Sequence, residues 1–202
     1  MKIHNDIVQG SDDWFSLRKG MVTASMFSTV LAKGRGGGVS KTRQKYLYQL
    51  AGEIITETPA ESYNNAHMER GHAMEEEARS LYCLANACEV QQVGFITGQE
   101  GVGCSPDGLV NESGILEIKS KLPHLQIEVL FADRVPPEHI HQCQGGLWVA
   151  EREWIDFVSY WPGLPLFEKR IYRDQKIITD IRFGVEQFIE ELNEIVEKLK
   201  SM

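Results

Sequence analysis

The sequence predicts an α/β protein in which a central mixed β-sheet is flanked by helices. Two patterns carry this expectation. Helical periodicity fills the first part of the chain, and a meander of short strand-like segments follows between residues 90 and 120. After the meander come one helix, two more strands and a long final helix, an order that suits a sheet covered by helices. Hydrophobic residues make up 42% of 202, enough apolar side chain to offset chain entropy, so a single domain over residues 1–202 is expected and disorder is excluded.

Each element has its own signal. Ser11-Asp12-Asp13-Trp14 reads as a helix N-cap followed by acidic first-turn residues. A second helix starts near Thr23 or Ala24 and reaches Leu31, a Gly-rich loop covers residues 34–38, and a further helix covers about 41–55. Residues 67–87 form the next helix, with Met74, Ala78, Leu81 and Ala85 on one face. Segments 90–97, 102–104 and 115–120 read as strands between Gly and Asn turns. Pro136-Pro137 opens a helix to about Val149, because proline suits a first helical position. Segments 154–160 and 166–172 are strand-like. From Asp174 to Lys200 a long amphipathic helix carries the stripe Ile178, Ile181, Val185, Phe188, Leu192, Ile195 and Leu199. The segment from Lys121 to Arg134 shows no motif.

Charge and cysteine usage bound the function. The net charge of -8 argues at first against a nucleic-acid partner, since phosphate binding calls for Lys and Arg. The acid is unevenly placed, however: Glu186, Glu190, Glu191, Glu194 and Glu197 lie on the last helix, while Lys33, Arg35, Lys41, Arg43 and Lys45 form the densest basic run. That run is a candidate DNA-contacting strip. The loop before it is not a phosphate-binding P-loop, because Ser40 stands where a glycine is required before Lys41. Four cysteines without C-x-x-C spacing argue against zinc and for free thiols in a reducing, cytoplasmic setting. No signal-peptide core and no run approaching 18 apolar residues is present, so no membrane partner is expected.

The chemistry concentrates in Ser105-Pro106-Asp107-Gly108-Leu109 and Leu116-Glu117-Ile118-Lys119-Ser120. Residues two apart in a strand share a face, so Glu117 and Lys119 point one way, and Leu116 and Ile118 the other, toward a core. A hairpin through residues 111–114 brings Asp107 back beside Glu117. Two carboxylates, with the Ile118 carbonyl, make a hard oxygen site suited to Mg²⁺, and a lysine beside it can orient or deprotonate a water. Spacing alone leaves open a solvated strand face with a weak cross-strand pair.

The same residues resemble the PD-(D/E)xK nuclease pattern, and the wider match is more specific. Arg18-Lys19-Gly20-Met21-Val22-Thr23-Ala24-Ser25 resembles the R-x-G-x-x-T-A-S element of the lambda-type (YqaJ-like viral recombinase) alkaline exonucleases. The stretch from Gly71 to Arg79 is similar to that family's G-x-x-x-E-x-x-A-R helix, residues 104–109 match its PD segment, and Gln142-Cys143-Gln144 through Leu147-Trp148-Val149 match its Q-x-Q…W-V helix. The resemblance implies a restriction-endonuclease-like core and a processive, Mg²⁺-dependent (Mn²⁺ as a substitute) 5′-to-3′ exonuclease on double-stranded DNA ends bearing a 5′-phosphate. It further implies a ring-shaped homotrimer working beside a single-strand annealing protein. By the same resemblance Asp107, Glu117 and Glu75 hold metal, Lys119 positions water, and Gln142 holds a phosphate or a water. Arg18 and Ser25 hold the 5′-phosphate, with Ser105, just before the PD pair, joining that pocket. Arg35 is a candidate DNA contact by its place in the Gly-rich loop and the basic run. Periodicity alone leaves Glu75 and Glu77 level. A structure-specific endonuclease or repair nuclease of the same superfamily is the alternative.

Overall fold

The computed structural model describes residues 1–38, 40–60, 66–99 and 101–202; the side chains of Arg35 and of residues 66–73 are outside the description. Its strands form two mixed sheets. One contains β1 (Lys2–His4), β4 (Phe95–Thr97), β5 (Val102–Cys104) and β2 (Val22–Thr23) in that order. The other contains β3 (Val90–Gln91), β6 (Gly108–Val110), β7 (Gly114–Ser120), β8 (Trp154–Tyr160) and β9 (Phe167–Tyr172). The β2–β5 and β7–β8 pairs are parallel.

Helix α1 (Asp12–Arg18) starts at Ser11, whose hydroxyl accepts from Trp14 N at 3.3 Å. Short helix α2 (Phe27–Val30) follows a 3-10 turn, and α3 (Lys41–Thr56) is capped by Ser40. Helices α4 (Ala66–Asn86), α5 (Pro123–Ala132), α6 (Pro137–Val149) and α7 (Gln175–Lys200) complete the layers. The larger core packs α2, α3, α6 and α7 on the face of β7 and β8 that presents Ile115, Ile155 and Phe157. A smaller core lies under α4 and takes Leu116, Ile118, Val158 and Tyr160 from the opposite face.

Four readings change. The strand expected over 90–97 is two strands in different sheets. Gly94 divides them because Ile7 backbone crosses there: a Cβ on Gly94 would lie 2.1 Å from the Ile7 carbonyl oxygen. The buried edge of α4 is Ala78 and Tyr82, while Leu81 and Ala85 are exposed; the Tyr82 hydroxyl reaches buried Asp156 at 2.7 Å, which turns the helix away from its aliphatic stripe. Residues 121–134, without a motif, contain α5, whose apolar residues are spread round the helix and give no stripe. Arg43, read as part of a basic strip, is engaged within the molecule: it bonds Glu191 through both guanidinium arms at 2.8 Å and caps the α3–α7 interface over Phe188. Among the described residues no helix is long and apolar enough to cross a membrane.

Candidate active site

The β6–β7 hairpin sets the site. Gly108 pairs with Leu116, and Asp107 N donates to Leu116 O at 3.1 Å, so Asp107 lies alongside the next residues of β7. Its Oδ2 accepts from Ile118 N at 2.5 Å. Glu117, on the α6-facing side, is buried to 4% exposure, and Lys119 Nζ stands 2.5 Å from its Oε1. The Gln142 amide, from α6, donates to the same oxygen. On the same helix Gly145 lets α6 close on α2, since a Cβ there would sit 2.2 Å from the Phe27 ring.

The electrostatics follow from this crowding. Burial, then Glu117, then Glu75 hold the Asp107 carboxyl well above the usual range, against weaker opposition from Lys119 and the Ile118 amide. Burial also works against the Lys119 ammonium, but Glu117 and Asp107 outweigh it and push its pKa up.

A cavity of about 410 Å³ joins this pole to another. Glu117, Lys119 and Gln142 line it together with Arg18, Ser25, Ser105 and Trp14. Arg18 Nη1 donates to Ser105 Oγ at 3.0 Å, and its guanidinium lies 3.9 Å above the Trp14 ring. Trp14 Nε1 in turn stands 3.0 Å from Ser105 Oγ and from Gly94 O. Ser25 is exposed and lies 3.3 Å from the Thr23 hydroxyl.

Asp107 and Glu75 line a neighbouring cavity with Arg79 and Gln92. Arg79 Nη2 holds Glu75 at 2.6 Å, and Arg79 Nε donates to Asp107 O at 3.3 Å. With its amide oxygen turned to the guanidinium, Gln92 accepts from Arg79 Nη1 at 2.6 Å. Glu77 goes elsewhere, to the Tyr160 hydroxyl, so geometry separates the two glutamates that periodicity left level. Among the described residues no three His, Cys, Asp or Glu side chains form a metal-holding group. Ile118 sits between the acid and the lysine, with its amide on Asp107. The backbone of Arg35 lies in a 3-10 turn of the Gly-rich loop; its side chain is outside the described residues.

Sequence reasoning gave no role to Trp14, Gln9 or Arg79, although Arg79 closes the G-x-x-x-E-x-x-A-R helix motif. Trp14 was readable in part, because it stands four residues before Arg18 on one helix and so shares its face. Gln9, whose amide donates at 2.9 Å to both Val93 O and Pro106 O, left no local signal.

An α/β core that brings an Asp-Gly hairpin beside a Glu-x-Lys strand defines a PD-(D/E)xK nuclease fold. The chain belongs to the YqaJ-like viral recombinase domain family, whose sequence model matches residues 13–153. Among solved structures it is similar to the alkaline exonuclease LHK-Exo from Laribacter hongkongensis, at 36% identity over 95% of this chain and 97% of that one, with a TM-score of 0.86. A structure of LHK-Exo in complex with dAMP matches at the same identity and coverage, with a TM-score of 0.87. A phage related exonuclease from Haemophilus somnus 129PT shares the fold, at 16% identity over 89% of this chain and 96% of that one, with a TM-score of 0.66. No curated protein matches.

Proposed function

We propose that the chain is a Mg²⁺-dependent exonuclease that removes nucleotides from the 5′ ends of linear double-stranded DNA. The observation that carries this reading is the single cavity with Glu117, Lys119 and Gln142 at one pole and Arg18, Ser105 and Ser25 at the other. A pocket for a terminal phosphate beside the hydrolytic groups suits an enzyme that acts at ends. The dAMP complex of LHK-Exo, a mononucleotide in a structurally similar protein, supports it.

The donor set fits a hard divalent cation. Burial first, and then Glu117 and Glu75, raise Asp107, and a cation between the carboxylates would relieve both the buried charge and the repulsion. Asp107, Glu117 and the Ile118 carbonyl would hold Mg²⁺ or Mn²⁺, with Glu75 joining on release from Arg79. Bound there, the ion would supply Lewis-acid stabilisation of the phosphoryl oxygens.

This chain's residues do the rest. Lys119, as an ammonium, donates to the attacking water and to developing negative charge. Gln142 fixes the Glu117 carboxylate through its amide. Arg18 and Ser105, already bonded to each other, and Ser25 hold the terminal 5′-phosphate. Arg35 is assigned to the duplex from its place in the basic run alone. Processivity and delivery of 3′ overhangs to a single-strand annealing partner require the family's ring-shaped homotrimer, which light scattering tests as a mass near three chains.

Digestion of 5′-phosphorylated linear, 5′-hydroxyl linear and covalently closed circular duplexes tests the activity. The first should disappear fastest and the circle should survive. Cutting of the circle would replace this reading with an endonuclease.

A further inference from the structure

Two residues past Lys119, Lys121 extends the cationic row. Its amide continues the β7–β8 ladder by donating to Tyr160 O at 3.2 Å. Strand alternation then puts Lys119 and Lys121 on one face, about 7 Å apart. That face lies under α6, and Lys121 Nζ stands 3.1 Å from His139 Nε2. The lysine side chain is only 14% exposed, and the acid within ion-pair distance among the described residues is Glu138, at 3.6 Å and 63% exposed.

His139 gives this ammonium no charge. The ring stacks on Phe157 at 5.2 Å. Burial first, then Lys121 and Lys119, push its pKa down to about 4, against the weaker pull of Glu138. A neutral imidazole accepts one Lys121 N–H, and an ammonium has three to give. A mostly buried ammonium held by a neutral imidazole, with one exposed carboxylate at 3.6 Å, keeps N–H capacity for an incoming anion. Lys121 does not line the central cavity; two residues beyond Lys119, it lines a separate cavity of about 200 Å³ with Glu128, Arg134 and Glu138.

The geometry points to Lys121, positioned by His139, as a contact for the DNA backbone phosphate that follows the scissile one on the same strand. This rests on the nuclease reading above. With the terminal phosphate at Arg18 and the scissile one at Lys119, the strand leaves the cavity past Lys121. The ligand is a polynucleotide phosphodiester, and free inorganic phosphate is the competing source of the same chemistry.

The test is fluorescence anisotropy of a 5′-phosphorylated duplex over a KCl series, with Ca²⁺ in place of Mg²⁺ to suppress cleavage. K121M and K121Q keep the side-chain stem and remove the charge. They are expected to bind about tenfold more weakly, as for loss of a hydrogen bond to a charged group. The slope of log affinity against log salt should fall by roughly 0.7–0.9, the value of one lost phosphate contact. K121R should restore both, and K198M, on the exposed end of α7, should match wild type. With Mg²⁺, K121M should raise KM more than it lowers kcat. Excess inorganic phosphate should not reproduce the difference between K121M and wild type. A wild-type slope in K121M and K121Q, or equal competition by inorganic phosphate, overturns the contact. R18M separates the two ideas: wild-type-like K121M beside an R18M that has lost 5′-phosphate preference overturns only the Lys121 assignment. Failure of wild type to bind DNA ends overturns both.

Discussion

Two cations share the central cavity and are held in opposite ways. Lys119 stands against Glu117 and has Asp107 nearby, and these acids raise its pKa in spite of burial. Arg18 has no carboxylate within ion-pair distance among the described residues; it is held by the Trp14 ring and the Ser105 hydroxyl. Burial draws its pKa down, against smaller opposing pulls from Tyr46, Glu53 and Cys104. The protein itself neutralises the first cation and sets no carboxylate against the second, which in the proposed function meets the 5′-phosphate. A buried charge that already has a partner organises its neighbours, while one without a partner is a site for recruitment.

The largest effect should come from removing the neutralised cation. Lys119→Met is expected to cut kcat by about 10²–10⁴, the usual scale for a positioned proton-handling group. It should also destabilise the fold by up to about 3 kcal/mol, because Glu117 is left buried without its partner. Urea melts with and without Mg²⁺ would read this, and added cation should recover part of the loss. Equal stability of variant and wild type would break the contrast.

Arg18→Met should behave in the opposite sense. Stability should be unchanged or higher, while preference for a 5′-phosphate over a 5′-hydroxyl end falls by roughly 10- to 100-fold. Parallel digestions of the two ends measure it.

His139 tests the row from outside the cavity. Its folded pKa of about 4 lies below the ordinary 6.5, so the unfolded chain binds the proton more readily in that window. Its contribution is therefore complete above pH 6.5 and is lost as pH falls toward 4, on the order of 3 kcal/mol. His139→Phe, which can keep the stack on Phe157, should flatten the pH dependence of Tm between those values.

The smallest effect is expected from Trp14→Phe. It keeps a ring for Arg18 but removes the indole N–H from Ser105 and Gly94, at about 1 kcal/mol, or severalfold in 5′-end affinity.

The parts of this site that were legible in the sequence are those set by local spacing. Asp107, Glu117 and Lys119 could be placed because one hairpin and one strand fix them, and Ser11 and Pro137 marked helix starts by their own chemistry. What was hidden depends on tertiary contacts. Tyr82 turns α4 because Asp156 lies 74 residues away, and β1 and β2 are too short to show a period. α5 shows no stripe, so nothing distinguished it from a loop. Glu75 and Glu77 separate only when Arg79 and Tyr160 are in place. The basic run misled at Arg43 because its partner Glu191 is on the last helix.

The parallel β7–β8 ladder runs from Gly114↔Trp154 to Ser120↔Tyr160 and cannot close through a tight turn. Everything between those strands, including α6 with Gln142, must be made before the ladder can form. A ribosome therefore displays Asp107, Glu117 and Lys119 well before they can be locked into register. Such non-local pairing also forms slowly. The order of synthesis thus acts as a timer: the chain acquires its hydrolytic centre only after nearly four-fifths of it has been made, and a truncated product stopping short of Tyr160 is left without the strand that holds that centre in place.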